Sequence, residues 1–541
     1  MKNPKIQELI LHTSHMSIRD QYVSESVENW PVVYILQGKK YMYIGETTNL
    51  YNRIKSHLTN KEKAHVVDKW YVIYDIEANK SATLDIESKL IRHLWSEGSY
   101  VLLNKNHGIK DHDYFDRQLY EAKFVEIWND LHKQRIVQKS LTEVQNSDLF
   151  KYSPYTTLNT EQYTVAHTIV DDILQSMQGT FLVHWLPGTW KSVVASYLMK
   201  YMIEHKDLAW CNIGLVVPMV SLRKTFKNVF RHISWLKSSM VLWPNDVVKW
   251  FDGWHTYDIL LVDEAHRLQK RKNLTNYKRF DDINKILWLW AEGTQLDWIM
   301  QLSKTQILFY DQHQSIKPTD VNADDFQSLP WKKTYTLTNQ MRVAWWKEYI
   351  QFINDLFNKN TKTSYHIPQY DVKLFTTFAD FRAALLHKDK EMWLSRMVAW
   401  YARQRRSKKD PHRHDIEIEG CKLFWNSTNI DRVNSPDSPF EVWCIHTVQG
   451  YDLNYVGVII WDEITYNKRS NQFVVRKDKY YDTKWKAWIV DPDQLIRYVI
   501  NIYKTLLTRW MKWTYIYVVD DDMRAYLTQA LSKLTVVEDT L

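Results

Sequence analysis

Residues 185–192 have the types and the spacing of a loop that holds phosphate. They read Trp-Leu-Pro-Gly-Thr-Trp-Lys-Ser, and with glycine at both tryptophan positions they would form a complete phosphate-loop motif. Such a loop wraps phosphates with backbone N–H groups, while its lysine bridges the β- and γ-phosphates and its hydroxyl residue binds Mg²⁺. The sequence therefore predicts an ATP site built from Gly188, Thr189, Lys191 and Ser192.

Tryptophan stands where this loop needs glycine, and the whole chain shows the same bias. There are 26 Trp and only 12 Gly among the 541 residues, whereas glycine normally makes up about 7% of a protein. We hypothesise that UGA codons meaning glycine in the source organism are written here as tryptophan, with Trp128 and Trp425 as authentic exceptions. An indole at position 190 would obstruct the bend, so the chain as written predicts poor ATP binding. The alternatives are a genuinely tryptophan-rich protein, or indoles that stack on single-stranded bases.

Two carboxylates follow an apolar run about 70 residues after the loop. Residues 259–262 are Ile-Leu-Leu-Val, and Asp263 and Glu264 come directly after them. A buried strand that ends in two acids can present one to Mg²⁺ and the other to the water that attacks the γ-phosphate. We therefore predict that Asp263 holds Mg²⁺ and that Glu264 polarises the water.

Residues of another kind recur in the first 110 positions. Hydrolysis of a phosphodiester needs an activated water, a divalent ion and a cation for the developing charge. Tyr34, Tyr43, Arg53 and Glu87 offer side chains suited to that chemistry. Hard Mg²⁺ keeps several of its waters and fits a site with one carboxylate.

These residues, with Gly45 and Asn104, resemble the GIY-YIG endonuclease family. The first triplet departs from the family pattern, because Val32-Val33-Tyr34 replaces Gly-Ile-Tyr. The resemblance implies that Glu87 holds the metal, that Arg53 contacts the phosphate, and that Tyr34 and Tyr43 orient or deprotonate the water. His57 lies one helical turn beyond Arg53 and either assists or is an ordinary packing or surface histidine.

Later segments resemble superfamily 1 helicases and, more closely, the Schlafen-type helicase-like domain, over about residues 155–535. The resemblance implies a γ-phosphate sensor, two arginines that reach ATP from a second lobe, and a segment that couples ATP to nucleic acid. The candidates for these roles are, in order, Gln314; Arg342 and Arg509; and His446, Gln449 and Gly450. Gln162 is a candidate reader of adenine, although a lone glutamine is commonly a surface residue.

The elements that must position these residues follow from local patterns. Residues 31–45 predict a β-hairpin, and Asn49 is placed to cap a helix whose Leu50, Ile54 and Leu58 form one apolar stripe. Short apolar runs then alternate with helical patterns at 180–184, 213–217, 259–262, 306–310, 456–460 and 514–519. This alternation predicts parallel sheets covered by helices.

The predicted fold class is α/β, with a small α+β GIY-YIG domain followed by two RecA-like parallel-sheet lobes of the P-loop NTPase kind. We place the nuclease-like domain at residues 1–112, a helical connector at 113–155, the phosphate-loop lobe at 156–330 and the second lobe at 331–541.

Cysteine spacing, the length of apolar runs and the net charge argue against several classes of protein. Three separated cysteines form no CxxC pair, which argues against a zinc ribbon or a disulfide framework. No apolar run reaches the length of a membrane-spanning helix, and residues 1–20 lack a secretory core, so we expect a cytoplasmic protein. The net charge of +8 is only a mild indication of a polyanionic partner.

The sequence thus predicts an ATP-dependent helicase- or translocase-like enzyme with a tethered endonuclease, using Mg²⁺ or another divalent cation and acting on DNA or RNA. The alternative is a nucleotide-gated switch that binds nucleic acid without strand separation or cleavage.

Overall fold

The computed structural model describes most of the chain, which forms two compact units. The first unit comprises residues 1–168, 192–205 and 231–235, and the second comprises the remaining residues. The described residues are 4–11, 16–18, 29–59, 68–104, 114–156, 158–185, 191–233, 235–251, 253, 255–272, 274, 276–311, 319–337, 346–367, 371–400, 403–407, 410, 412–425, 437–445, 453–479, 491–508 and 513–535.

A six-stranded sheet organises the first unit, in the order β2-β1-β5-β3-β4-β6. All neighbours are antiparallel except β4 and β6. The strands are β1 (Lys5–Leu11), β2 (Met16–Ile18), β3 (Val32–Gln37), β4 (Tyr41–Thr47), β5 (Lys69–Tyr74) and β6 (Val101–Leu102). The predicted hairpin is confirmed as β3 and β4, joined by a turn in which the Gly38 N–H donates to the Tyr41 carbonyl.

Helices cover both faces of this sheet. They are α1 (Leu50–Thr59), α2 (Lys80–Glu97), α3 (Arg117–Lys133), α4 (Leu141–Asn146) and α5 (Asp148–Lys151). Because side chains alternate along a strand, Val33 and Ile35 of β3 join the core formed with α2, α3 and α4. Val32, Tyr34 and Leu36 join a separate core formed with α1. Helix α3, which lies within the predicted connector, therefore shares a core with the strands.

Parallel strands form the first of two large sheets in the second unit, in the order β12-β7-β11-β10-β8-β9. They are β7 (Gly179–Trp185), β8 (Ile213–Val216), β9 (Val241–Leu242), β10 (Tyr257–Val262), β11 (Ser303–Tyr310) and β12 (Lys332–Leu337). The helices along this stretch are α6 (Thr160–Gln175), α7 (Lys191–Glu204), α8 (Val220–Arg231), α9 (Tyr277–Ile286), α10 (Gln295–Leu302) and α11 (Ala323–Gln327). Apolar side chains of α9 to α11 pack with those of β10 in one core.

The second large sheet is also parallel, in the order β14-β22-β19-β15-β18. Its strands are β14 (Asp371–Phe375), β15 (Ser395–Ala399), β18 (Val442–Cys444), β19 (Tyr455–Ile460) and β22 (Trp513–Val518). Three small pairs accompany it: β13 (Tyr365–His366) with β23 (Leu534–Thr535), β16 (Ile416–Ile418) with β17 (Cys421–Leu423), and β20 (Ile464–Asn467) with β21 (Gln472–Val475). The helices are α12 (Trp346–Phe357), α13 (Phe378–Met392), α14 (Pro492–Leu507) and α15 (Asp521–Leu531). The α/β fold class with two parallel-sheet lobes is confirmed.

Among the residues that the structure describes, four tryptophans adopt the left-handed backbone conformation that favours glycine. Trp235, Trp288, Trp331 and Trp393 have φ values of 72°, 51°, 51° and 57°, and all four side chains are exposed. A side chain at such a position is strained by about 1–2 kcal/mol. These positions support the hypothesis that part of the tryptophan content stands for glycine.

Within the described part of the chain, no helix combines the length and the apolar character needed to span a membrane.

Candidate functional site

Tyr34 is the centre of the site in the first unit. β3 carries its side chain on the face that packs against α1, where the ring is fully buried. The Tyr34 hydroxyl lies 2.8 Å from Nε2 of His57 and accepts a 3.1 Å hydrogen bond from Nε of Arg53. Burial, and then the neighbouring Tyr43, raises the pKa of Tyr34, and Arg53 offsets this only partly. The phenol therefore keeps its proton near neutral pH and can donate a hydrogen bond.

Gly45 makes room for that hydroxyl. The β3–β4 register places Gly45 directly opposite Tyr34. A Cβ atom added to Gly45 would lie 2.2 Å from the Tyr34 hydroxyl oxygen, closer than any real contact. The last position of the Tyr-Ile-Gly triplet is thus glycine for a steric reason.

Helix α1 supplies Arg53 and His57 from consecutive turns. The predicted cap is confirmed, because the Asn49 side chain accepts a 3.0 Å hydrogen bond from the Asn52 N–H. Arg53 is exposed, whereas His57 is buried against the ring of Tyr43 at a centroid distance of 5.2 Å. Of the alternatives for His57, a surface position is excluded, and its contact with Tyr34 places it within the candidate site.

Glu87 is close enough to a second carboxylate, Glu46 of β4, for their charges to interact. It lies on α2 and is buried, and burial followed by the charge of Glu46 raises its pKa to about 7. Lys80, two helical turns earlier on α2, forms an ion pair with Glu46 and acts in the opposite direction on Glu87, as does Arg53. Glu87 is therefore a poorly solvated anion that a divalent cation would stabilise.

The residues present fit a magnesium ion that keeps most of its waters. No group of three or more His, Cys, Asp or Glu side chains suited to a metal occurs among the residues that the structure describes. Glu87 supplies one hard oxygen ligand in a partly dry setting, which suits an ion that takes few protein ligands.

Three further residues shape this site, and the sequence reasoning missed two of them. Glu46 and Lys80 carry no motif, but their positions offered a signal: Glu46 follows Gly45, and Lys80 lies seven residues before Glu87 on one helix face. Asn104, which the resemblance included, accepts a 3.0 Å hydrogen bond from the Ile44 N–H and donates one of 2.6 Å to the Ile44 carbonyl. Asn104 thereby fixes β4 between Tyr43 and Gly45.

The second candidate site lies where β10 of the second unit ends. Lys191, the first residue of α7, donates a 2.7 Å hydrogen bond to Oε2 of Glu264, and His266 Nε2 lies 3.1 Å from the same oxygen. The Asp263 side chain accepts a 3.0 Å bond from the Glu264 N–H, and both acids are buried. Glu264 itself has a φ of 53°. The structure thus brings together the lysine and the acidic pair that the sequence assigns to ATP.

Ser192 and Gln162, two further predicted site residues, also lie among the described residues. Ser192 follows Lys191 and is half-buried. Gln162 is buried, and it exchanges hydrogen bonds with Asn159: its N–H donates to Asn159 Oδ1 at 2.8 Å and its Oε1 accepts from the Asn159 N–H at 3.1 Å. This exchange makes Gln162 part of the helix cap at the start of α6, and the reading of adenine stays a prediction.

The remaining predicted site residues lie outside the described residues, and their roles also stay predictions. They are Gly188, Thr189, Gln314, Arg342, His446, Gln449, Gly450 and Arg509.

The fold and the two sites define a protein that joins a GIY-YIG nuclease domain to a helicase domain. The model of the GIY-YIG catalytic domain matches residues 31–99, and the model of the Schlafen group 3 DNA/RNA helicase domain matches residues 178–520. Because the second match covers more than half of the chain, the chain belongs to the Schlafen group 3 DNA/RNA helicase domain family.

One curated relative is a yeast protein. The chain is 26% identical over 316 residues to the uncharacterized protein YPL245W of Saccharomyces cerevisiae. The alignment covers 51% of this chain and 65% of the yeast protein, so the chain spans less than two thirds of that relative.

Three solved structures show a remote likeness to this chain. A Saccharomyces cerevisiae Dbp5 variant bound to Nup159, Gle1, IP6 and ADP is 11% identical, with a TM-score of 0.25 over 77% of this chain and 95% of that one. Mss116p bound to ssRNA and AMP-PNP is 12% identical, with a TM-score of 0.32 over 80% and 83% of the two chains. The arterivirus nonstructural protein 10 helicase with DNA is also 12% identical, with a TM-score of 0.27 over 66% of each chain. At these scores the likeness adds nothing to the family assignment.

Proposed function

We propose that this chain is an ATP- and Mg²⁺-dependent helicase- or translocase-like enzyme with a tethered, metal-dependent endonuclease, acting on DNA or RNA. The observation that carries the motor half is the 2.7 Å contact between Lys191 and Glu264. This contact supports the proposal because the Lys191 ammonium, proposed to bind phosphate, lies beside the carboxylate proposed to polarise water, at the end of a parallel strand. The nuclease half rests on the cluster of Tyr34, His57 and Arg53 with Glu87 nearby.

In the nuclease, the side chains divide the work as follows. Bound Mg²⁺, held by Glu87, would polarise the phosphate and stabilise the leaving oxygen. The Tyr34 hydroxyl accepts a hydrogen bond from the attacking water; as the water gives its proton to that oxygen, Tyr34 passes its own proton to Nε2 of His57, 2.8 Å away. The exposed Arg53 guanidinium binds the phosphate and stabilises the charge that develops on it.

In the motor, Lys191 and Glu264 exchange partners. The structure holds the Lys191 ammonium on the Glu264 carboxylate. When ATP is bound, Lys191 donates to phosphate oxygens instead, and Glu264 becomes available to accept a proton from water. Asp263 and Ser192 would hold a Mg²⁺ ion, which would supply positive charge to offset the negative charge of the phosphates.

A nicking assay on plasmid DNA and labelled RNA, with and without Mg²⁺, tests the nuclease. Glu87→Ala should abolish cleavage, while Glu121→Ala, an exposed acid on α3, should leave it unchanged. Equal cleavage by parent and Glu87→Ala would remove Glu87 from the proposal.

An ATPase assay with and without nucleic acid tests the motor, in a version with glycine at positions 185 and 190. Turnover that nucleic acid stimulates and that Glu264→Gln abolishes supports a motor. ATP binding without turnover would favour the nucleotide-gated switch.

A further inference from the structure

A short basic stretch in the second unit is not used by the mechanism above. Residues 403–414, here called the basic loop, contain six Lys or Arg residues against one Asp, a net charge of 6 − 1 = +5, while the whole chain carries +8. A charge run of this density attracts polyanions, although many such runs are only solvated surface. The position of the basic loop in the fold and the hydrogen bonds that anchor it favour a binding surface over a merely solvated one.

The basic loop leaves the sheet at a functional edge. It follows the carboxyl end of β15, and the β15–β18 register pairs Ala399, the last residue of β15, with Cys444, the last residue of β18. The chain after β18 runs directly into His446, the start of the segment predicted to couple ATP to nucleic acid. The carboxyl ends of parallel strands are where such sheets bind ligands.

Asp415 anchors the backbone of the basic loop at Arg406 and Ser407. Its carboxylate is buried, and it accepts hydrogen bonds from the Arg406 N–H at 2.5 Å, the Ser407 N–H at 2.7 Å, the Ser407 hydroxyl at 2.7 Å and the Trp425 N–H at 2.8 Å. Arg403 adds an ion pair of 2.7 Å to Asp462. Anchoring of this kind removes part of the ordering cost of binding a ligand.

The outer side chains of the basic loop remain available to a partner. Arg406, His412, Arg413 and His414 are exposed, and in the part of the chain that the structure describes neither Arg406 nor Arg413 pairs with a carboxylate. Two exposed guanidinium groups on an anchored backbone suit phosphate oxygens, which they bind through planar, paired N–H donors.

We infer that the basic loop binds the phosphate backbone of a nucleic acid through Arg406 and Arg413. This inference rests on the proposed function, since it names a surface by which the helicase domain would hold its substrate. It assigns no base specificity, because phosphate contacts position a strand without reading its sequence.

The test compares Arg406→Gln/Arg413→Gln with the parent chain, and Lys468→Gln/Arg469→Gln is the matched control. Lys468 and Arg469 are exposed cations at the β20–β21 turn of the same unit, so the control loses the same charge elsewhere. Fluorescence anisotropy with a labelled 20-nucleotide DNA strand, the same sequence as RNA, and the DNA duplex measures Kd from 50 to 200 mM salt. Thermal unfolding of all three proteins monitors the fold.

We expect the double variant to bind about tenfold more weakly at 50 mM salt, with the salt slope for single strands smaller by about 1.4, the value for two lost phosphate contacts. The control should match the parent. A double variant that binds like the parent would overturn the inference and leave the proposed function standing. A parent that binds none of the three oligonucleotides would overturn both, and equal weakening by the control would show bulk charge instead of a site.

Discussion

The sheet around Tyr34 and the loop before Lys191 both need the main chain to come close to a reactive group. They differ in the residue at the closest approach. Gly45 lies opposite Tyr34, where a Cβ would be 2.2 Å from the hydroxyl oxygen. In the loop, Trp185 and Trp190 stand where the phosphate motif has glycine. Both regions contain the side chains proposed for chemistry, and they differ in whether glycine stands at the position where the main chain must come close.

The strongest test of this difference restores glycine in the loop. Trp185→Gly/Trp190→Gly should bind ATP about 100-fold more tightly than the chain as written, because a phosphate loop needs backbone conformations that glycine adopts freely and an indole next to Lys191 would obstruct the bend or the phosphate itself. Binding of a fluorescent ATP analogue measures the change. Trp331→Gly, an exposed left-handed position in the same lobe, is the control and should leave ATP affinity unchanged.

Equal ATP affinity in both versions would contradict the requirement for glycine. Peptide sequencing of natively expressed protein addresses the codon hypothesis separately, and tryptophan found at 185 and 190 would end it.

The reverse experiment adds a side chain at Gly45. Gly45→Ala should lower the cleavage rate about 100-fold, since a displacement near 1 Å of a catalytic group has an effect of that size. The free energy of unfolding should fall by about 1–3 kcal/mol from overpacking. Gly179→Ala is the control, because the Cβ added there meets only ordinary contacts at 3.8 Å. Full cleavage by Gly45→Ala would show that Tyr34 does not need its observed position.

The pH dependence of the Mg²⁺ requirement tests the proposed role of Glu87 in the first region. The pKa of Glu87 is raised to about 7, and only the carboxylate form binds a cation, so protons compete with Mg²⁺ as the pH falls through 7. With that pKa, the Mg²⁺ concentration for half-maximal cleavage should rise about tenfold from pH 8 to pH 6. Saturating Mg²⁺ should recover most of the rate at pH 6.

Glu46→Gln sharpens this prediction. Removing the neighbouring negative charge should shift the Mg²⁺ dependence toward lower pH, because Glu46 is the largest cause of the raised pKa after burial. A half-maximal Mg²⁺ concentration that is constant from pH 6 to pH 8 would mean that Glu87 does not bind the metal.

Much of the frame that holds these residues follows from periodicity. Alternating and apolar runs located β3, β4, β10 and β19 to within a residue or two, and Asn49 marked the start of α1. Helix α2 begins at Lys80, because the Asn79 side chain caps it by accepting from the Ala82 N–H. The spacing of the motifs also identified four candidate site residues: Tyr34, Arg53, Lys191 and Asp263.

Tertiary effects lay beyond such reasoning. Nothing local in the sequence says that Glu46 perturbs Glu87, since that depends on how β4 packs on α2. Nor does composition reveal that α3 enters the nuclease core, where Lys123 pairs with the buried Asp75 at 2.6 Å. A charged helical pattern is the same for an arm in solvent and for a helix with one buried face.

The smallest expected effect tests the same glycine requirement at a helix end. Helix α9 ends in a turn in which the Trp288 N–H donates to the Lys285 carbonyl at 3.1 Å and the Leu289 N–H donates to the Asn284 carbonyl at 2.8 Å, an arrangement that normally has glycine at the left-handed residue. Trp288→Gly should raise the free energy of unfolding by about 1 kcal/mol by relieving a φ of 51°.

Denaturant unfolding of the same unit with Trp298→Gly gives the contrast. Trp298 is fully buried, and its indole N–H donates to Asn284 Oδ1 at 2.6 Å, so its loss should destabilise by at least about 3–5 kcal/mol. The two substitutions should change the free energy of unfolding in opposite directions. That result would distinguish an indole that packs in the core from one that occupies a position suited to glycine. Destabilisation by Trp288→Gly would instead show that the exposed indole belongs to the native surface.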